Sequence, residues 1–475
     1  MKIISRKKER KELEYSERSK KSELICVYGR RRVGKTFLVE QTFREFAFRA
    51  VGLENGTSRQ QLRSFGQRLN EYGDDNKSTP KDWFEAFSRL DKLLSLESVR
   101  RSPNGKKIIF FDEFPWFATK RSDFLPAFEE FWNRRGTLDG DILFIICGSA
   151  TSWIIKNVIK NTGNMFQRIT KKICIEPFTL AETEAFFKDR EFDWSREQIA
   201  ECQMIFGGLP FFFDLMNASL SLPQNVNRLL FDKDALYREE TKRLLEATLS
   251  ESPIYEKIIT KLAFARYGMK KALLQEEVAA SNGTFSRAVQ DLADCGYITE
   301  YKKNYEEYNP LYVQLIDPFL LFHYHYLSKE KNNDSYEDVM SDLGKYDNWR
   351  GQAFELLCFH NIHSIKSALG ISSVKTACYP WYNSIDDKNE RAQIDMVIER
   401  ADRITDLCEI KYTNKPFEVD AAYEKQLIRK RDIFKKKTGT SHALKIIMIS
   451  ANGLSQTAHT AYISDTITLD DLFDQ

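Results

Sequence analysis

Leu24-Ile25-Cys26-Val27-Tyr28-Gly29-Arg30-Arg31-Arg32-Val33-Gly34-Lys35-Thr36-Phe37-Leu38-Val39 joins an apolar run, a glycine-bounded loop and a second apolar segment. Gly29–Thr36 matches G-x-x-x-x-G-K-[ST] and stands between a predicted strand and a predicted helix, the context this loop requires. The two glycines let backbone N–H groups curl around phosphate oxygens, and the helix N-terminus adds partial positive charge. The expectation is an ATP site lined by Gly29, Arg30, Arg31, Arg32, Val33, Gly34, Lys35 and Thr36. Lys35 is expected to reach the β- and γ-phosphates, and the Thr36 hydroxyl to ligate Mg2+. Arg30 to Arg32 either add phosphate or nucleic-acid contacts or simply face water.

Such a site needs an acidic pair at the end of another buried strand. Ile108-Ile109-Phe110-Phe111-Asp112-Glu113 supplies one. Asp112 is expected to hold the magnesium through water, and Glu113 to orient or deprotonate the attacking water. A third apolar run, Ile142–Cys147, leads to Gly148-Ser149, where Ser149 either senses the γ-phosphate or caps the strand end. Arg168 follows about twenty residues later. It either neutralises transition-state charge, in cis or across a subunit boundary, or is a surface arginine. Continuous apolar strands alternating with helical patterns point to an α/β fold with a parallel sheet covered on both faces.

Farther out, the 475 residues exceed what one core holds, so several domains are expected. A formal charge of +2 gives no global field for nucleic acid or membrane, though a local basic stripe remains compatible with it. The charged start, Met1–Glu9, has no signal-like apolar run, and no stretch is apolar enough to span a bilayer. A cytoplasmic chain without a membrane partner is expected. The eight scattered cysteines form no C-x-x-C pair and read as buried free thiols.

Beyond residue 250 the pattern changes. Ala272–Ala280 and Thr284–Cys295 read as paired helices, followed by the hairpin arm Gly296–Lys303; this is winged-helix order. Arg287 and Gln290 on the second helix, with Lys302 and Lys303 on the wing, are the candidate DNA contacts. The alternative is a packing module, since Asp291, Asp294, Glu306 and Glu307 lie among them.

The last segment carries Glu355 on a helix, Asp395 in Gln393-Ile394-Asp395-Met396-Val397-Ile398, and Glu409 and Lys411 two apart on a further strand. Alternation places Ile394, Met396 and Ile398 on one face and Asp395 on the other. Phosphodiester hydrolysis needs carboxylates to hold magnesium and a cation near the developing charge. Glu355, Asp395 and Glu409 are the candidate ligands and Lys411 the candidate catalytic cation. The basic run from Lys425 to Lys437 either tracks a phosphate backbone or is a solvated helix face.

Taken together, the Arg6/Glu9 opening, the G-R-R-R-V-G-K-T loop, Phe111-Asp112-Glu113-Phe114, Cys147-Gly148-Ser149 and Gly207-Gly208-Leu209-Pro210 resemble the archaeal-type ATPases of the AAA+/STAND-like P-loop group. The resemblance covers roughly residues 1–230. It implies that Gly208 and Pro210 sense nucleotide from a helical lid, that Arg6 lies near the adenine, and that a winged helix follows. The C-terminal set resembles the PD-(D/E)XK nuclease fold. The implied organisation is an ATPase core (1–175), a helical lid (176–250), a winged helix (251–327) and a restriction-endonuclease-like α/β domain (336–475). The implied function is ATP binding and hydrolysis coupled to DNA binding or magnesium-dependent cleavage, within a homo-oligomer if Arg168 acts in trans. The alternative is a STAND-like switch whose C-terminal domain binds DNA or protein without cutting.

Overall fold

The computed structural model describes residues 4–474, except 137–139, 150, 161–167, 236, 239, 242–243, 246–252, 303–309, 329–334 and 384–389. Most of the expected linker after Ser328, and Lys303, fall outside the described residues. The chain divides into two compact units, one spanning Met1–Pro177 and the other built from Phe178–Glu246 and Glu251–Gln475.

The first unit is built on a five-stranded sheet. Its strands are β1 (Glu23–Tyr28), β2 (Phe48–Val51), β3 (Lys107–Asp112), β4 (Ile142–Gly148) and β5 (Lys171–Cys174), in the order β2-β3-β4-β1-β5. Every pairing is parallel. Parallel strands need both faces covered, which is why β3 and β4 are apolar almost throughout and buried along their whole length. Helices Ser58–Glu71, Trp83–Leu94 and Phe124–Arg135 pack an aromatic core on the sheet, with Phe48, Phe65, Phe87, Phe111, Phe128 and Phe144 at its centre. Two of these helices begin where their caps dictate. Thr57 and Gln60 form a reciprocal capping box, and Asp82 accepts from Glu85 N.

The second unit opens with helices Leu180–Asp189, Arg196–Phe206 and Pro210–Asp214. Helices Pro253–Ala263, Lys271–Val278 and Asn282–Asp294 follow, leading to an antiparallel sheet of β6 (Met269–Lys270), β8 (Leu311–Leu315) and β7 (Ile298–Lys302). The last sheet runs β13 (Ile463–Ile467), β12 (Ala443–Ser450), β11 (Ile404–Lys411), β10 (Ala392–Arg400), β9 (Thr376–Asn383). It is mixed: β11, β12 and β13 are parallel neighbours, while β10 runs antiparallel to both β9 and β11.

Two expectations are corrected here. The alternation assumed for β10 is broken by a register shift between Ile394 and Val397, so these residues, three apart, join the same apolar cluster with Tyr379, Trp381 and Phe434. Asp395 lies in the shifted stretch and is buried. Of the cysteines, Cys174 on the edge strand β5 is exposed and Cys378 on the edge strand β9 half-buried, rather than buried; all eight are free thiols. Among the described residues no helix is long and apolar enough to cross a membrane.

Candidate functional site

In the first unit, the loop between β1 and the Lys35–Thr42 helix forms a closed cradle. Gly29 has φ 142°, and a Cβ there would lie 2.3 Å from the Ile175 carbonyl oxygen, so no larger residue fits. Gly34 starts the helix in left-handed backbone, φ 88°. Lys35 is buried, and its ammonium donates to the carbonyls of Gly29 (2.9 Å) and Arg30 (2.8 Å). Burial lowers its pKa from the ordinary lysine value, against the opposing pull of Glu113 and Asp112.

The Thr36 hydroxyl donates to Asp112 Oδ2 at 2.9 Å, which joins the helix start to the end of β3. Glu113 follows in left-handed backbone, φ 47°, a conformation that costs a non-glycine residue free energy and recurs at functional sites. Its carboxylate accepts from the Ser149 hydroxyl at 2.6 Å and from Ser149 N at 3.2 Å. The ends of β3 and β4 thus present Asp112, Glu113 and Ser149 together. Arg6 is also buried and donates to the carbonyls of Val33 and Glu176. Arg31 pairs with Glu54 at 3.9 Å.

Magnesium fits this set: one hydroxyl and one carboxylate already at contact distance suit an ion that keeps most of its waters and takes phosphate oxygens. A triphosphate suits the loop, whose buried ammonium and helix N-terminus both favour an anion. Arg168 stands partly exposed just before β5, and among the described residues no hydrogen bond or ion pair joins it to the loop. Gly208 and Pro210 lie in the second unit, where Gly208 (φ 67°) follows the helix-ending Gly207 and Pro210 occupies the first position of the next helix.

The second unit gathers Glu355, Asp395 and Glu409, all buried, with Lys411 beside them. Each carboxylate is held by protein groups. Glu355, on the Leu343–His360 helix, takes both oxygens to Arg266 Nε at 3.1 Å. Asp395 Oδ2 accepts from Ile410 N at 2.9 Å, and Oδ1 from Gln393 at 3.1 Å. Glu409 accepts from Lys411 (2.8 Å), Tyr423 OH (2.7 Å) and Lys430 (2.6 Å). Burial pushes Glu355 up to about 8 despite its arginine. Asp395 is raised by burial and by the Glu409 charge. Glu409 is also penalised by burial, but Lys430 and Lys411 outweigh this and hold it below the usual carboxylate range.

Among the described residues no three His, Cys, Asp or Glu side chains are grouped so as to hold a metal ion. Arg266 pairs with Glu355, and Lys411 and Lys430 pair with Glu409, beside the residues expected as metal ligands.

Sequence reasoning missed Arg266, Tyr267, Gln393 and Tyr423. Tyr423 and Lys430 lie seven apart, two turns of one helix face, and that spacing was available as a signal. Nothing in Ala265-Arg266-Tyr267-Gly268 marks it as part of this cluster. The candidate DNA contacts Arg287, Gln290 and Lys302 are exposed, with Gln290 donating to Asp294 at 2.8 Å.

No family model matches the chain. It is 21% identical to an uncharacterized protein of Methanocaldococcus jannaschii over 360 residues, 72% of this chain and 74% of that protein. Among solved structures, the Walker-type ATPase of Pyrococcus abyssi is 17% identical with a TM-score of 0.46, covering 68% of this chain and 96% of that one. The Aeropyrum pernix ORC2 protein is 13% identical with a TM-score of 0.37, covering 72% and 96%. At these levels of likeness the case for function rests on the residues above.

Proposed function

We propose that the first unit binds ATP with magnesium and hydrolyses it, and that the second unit engages nucleic acid according to the nucleotide state. The observation that carries the first half is the meeting of Lys35, Thr36, Asp112, Glu113 and Ser149 at the strand ends around a loop that only glycine can form. Bound magnesium would supply charge neutralisation of the phosphates. Thr36 and Asp112 would hold it, Glu113 would accept a proton from the attacking water, and Ser149 would fix that carboxylate. Arg6 would steady the loop through the Val33 carbonyl.

For the second unit we read residues 251–327 as a winged helix and 336–475 as a nuclease-like domain. The ion pairing of Glu355 and Glu409, with Asp395 held by the Ile410 N–H and Gln393, favours binding over cutting, the switch-like reading. The cations beside these carboxylates are the groups that would grip phosphate. Arg287 and Lys302 extend the same surface chemistry to a duplex backbone. Plasmid, linear and single-stranded DNA incubated with the pure chain and Mg2+, with and without ATP, provide the test. Retention without cutting supports this reading, and cutting that Asp395→Ala abolishes replaces it with a nuclease. ATP turnover by Lys35→Ala equal to that of the parent chain would sink the first half.

A further inference from the structure

Arg266 and Tyr267 sit on the turn after the Pro253–Ala263 helix, yet their side chains end at Glu355 on the Leu343–His360 helix and at Asp395 on β10. Arg266 grips Glu355, and the Tyr267 hydroxyl lies 3.5 Å from Asp395 Oδ1. The turn is held there from behind. Tyr301 OH donates to the Tyr267 carbonyl at 2.6 Å, Tyr301 stacks on Tyr312 at 5.4 Å, and Tyr312 meets Tyr382 edge-on at 5.9 Å. Tyr267 itself lies 5.9 Å from Tyr382, ring to ring.

The result is a walled pocket of about 620 Å³. Three tyrosines line it, Tyr267, Tyr382 and Tyr423, together with five cationic side chains, Arg266, Arg391, Lys411, Arg429 and Lys430, against two acidic ones, Asp395 and Glu409. An excess of cations selects an anionic ligand, and partly exposed rings select one with flat faces to stack. That pairing of needs describes a polynucleotide strand. The volume falls within the range of a single drug-sized ligand, about 300–1,000 Å³, which admits a nucleotide or two.

We propose that this pocket takes an unpaired nucleic-acid strand in preference to duplex, and that Tyr267 and Tyr382 set the preference by stacking on bases while Arg391, Lys411 and Arg429 take the phosphates. Arg266 acts as a positioning residue, pinning the turn to Glu355 so that the Tyr267 ring forms one wall. The inference rests on the reading that the second unit engages nucleic acid, and adds which form it takes. Recognition of the base is through its face, so no sequence preference is expected beyond stacking strength.

The test is fluorescence anisotropy of the full chain, in EDTA, with a fluorescein-labelled oligothymidine and with a blunt hairpin duplex. Single strand should bind at least about tenfold tighter than the duplex, and Tyr267→Ala or Tyr382→Ala should each weaken it about tenfold, the worth of one stacked base. Tyr267→Phe keeps the ring and should retain binding, which separates stacking from a folding defect. Equal affinity for both forms, or equal loss in Tyr267→Phe and Tyr267→Ala, overturns the preference alone. Binding of neither form overturns the wider reading of the second unit.

Discussion

The Thr36 hydroxyl meets Asp112 Oδ2 at 2.9 Å, although 76 residues separate them in the chain. Sheet order makes the contact possible, because β4 lies between β1 and β3 and all three end on the same side. Lys35 stands one residue away, donating to two loop carbonyls. Lys35→Ala should therefore remove the buried ammonium of the cradle and weaken binding of a fluorescent ATP analogue by a hundredfold or so, equivalent to about 3 kcal/mol. Thr36→Ala should bind nucleotide yet need more magnesium, read as a shifted magnesium titration of turnover.

The Glu113–Ser149 pair yields a different split. Glu113→Gln keeps the shape of the side chain but cannot accept a proton, so turnover should fall about 100- to 10,000-fold. ATP affinity should stay close to that of the parent chain. Ser149→Ala leaves the carboxylate but frees its orientation, and a smaller fall, about tenfold in turnover with unchanged affinity, is expected. Steady-state phosphate release and equilibrium binding, measured on the same preparations, check both.

Arg266 and Glu355 form an ion pair with unequal exposure, 37% for the arginine side chain and 6% for the glutamate. Above about pH 8, where Glu355 is ionised, removing the arginine leaves a carboxylate desolvated and unpaired. Arg266→Ala should destabilise the second unit by about 2–3 kcal/mol, below the full value for a buried pair because Arg266 still reaches solvent. Arg266→Ala combined with Glu355→Gln should recover much of that loss, because no charge is then left stranded. Urea unfolding of the four chains of this cycle measures the coupling, and strictly additive effects would show the pair to be incidental.

His323 supplies a pH prediction. Burial of its ring lowers its pKa to about 4 from the ordinary 6.5. The unfolded chain then binds the proton more readily than the folded one between those values, so stability should fall as pH drops from about 6.5 towards 4. The contribution is at most about 3 kcal/mol, and less because the ring is partly exposed. His323→Phe should flatten this stretch of the stability–pH curve while leaving stability at pH above 7 little changed. Urea midpoints across the range provide the comparison.

The sequence by itself determined the phosphate loop and the three apolar strands that present its acidic partners. Both are local: Gly29, Gly34, Lys35 and Thr36 act through backbone freedom and helix geometry within eight residues, and a doubly covered strand must be apolar throughout. The order Glu355, Asp395, Glu409, Lys411 was equally legible, but its chemistry was not. Whether three carboxylates share an ion or are each paired depends on which cations fold beside them. Arg266 comes from 89 residues before Glu355, and Lys430 from 21 residues after Glu409. The register shift in β10, in the stretch where Asp395 is buried, is likewise invisible to a strict period of two. Electrostatics at such a centre is a sum over everything within a few ångströms, and only the tertiary structure decides what is that close.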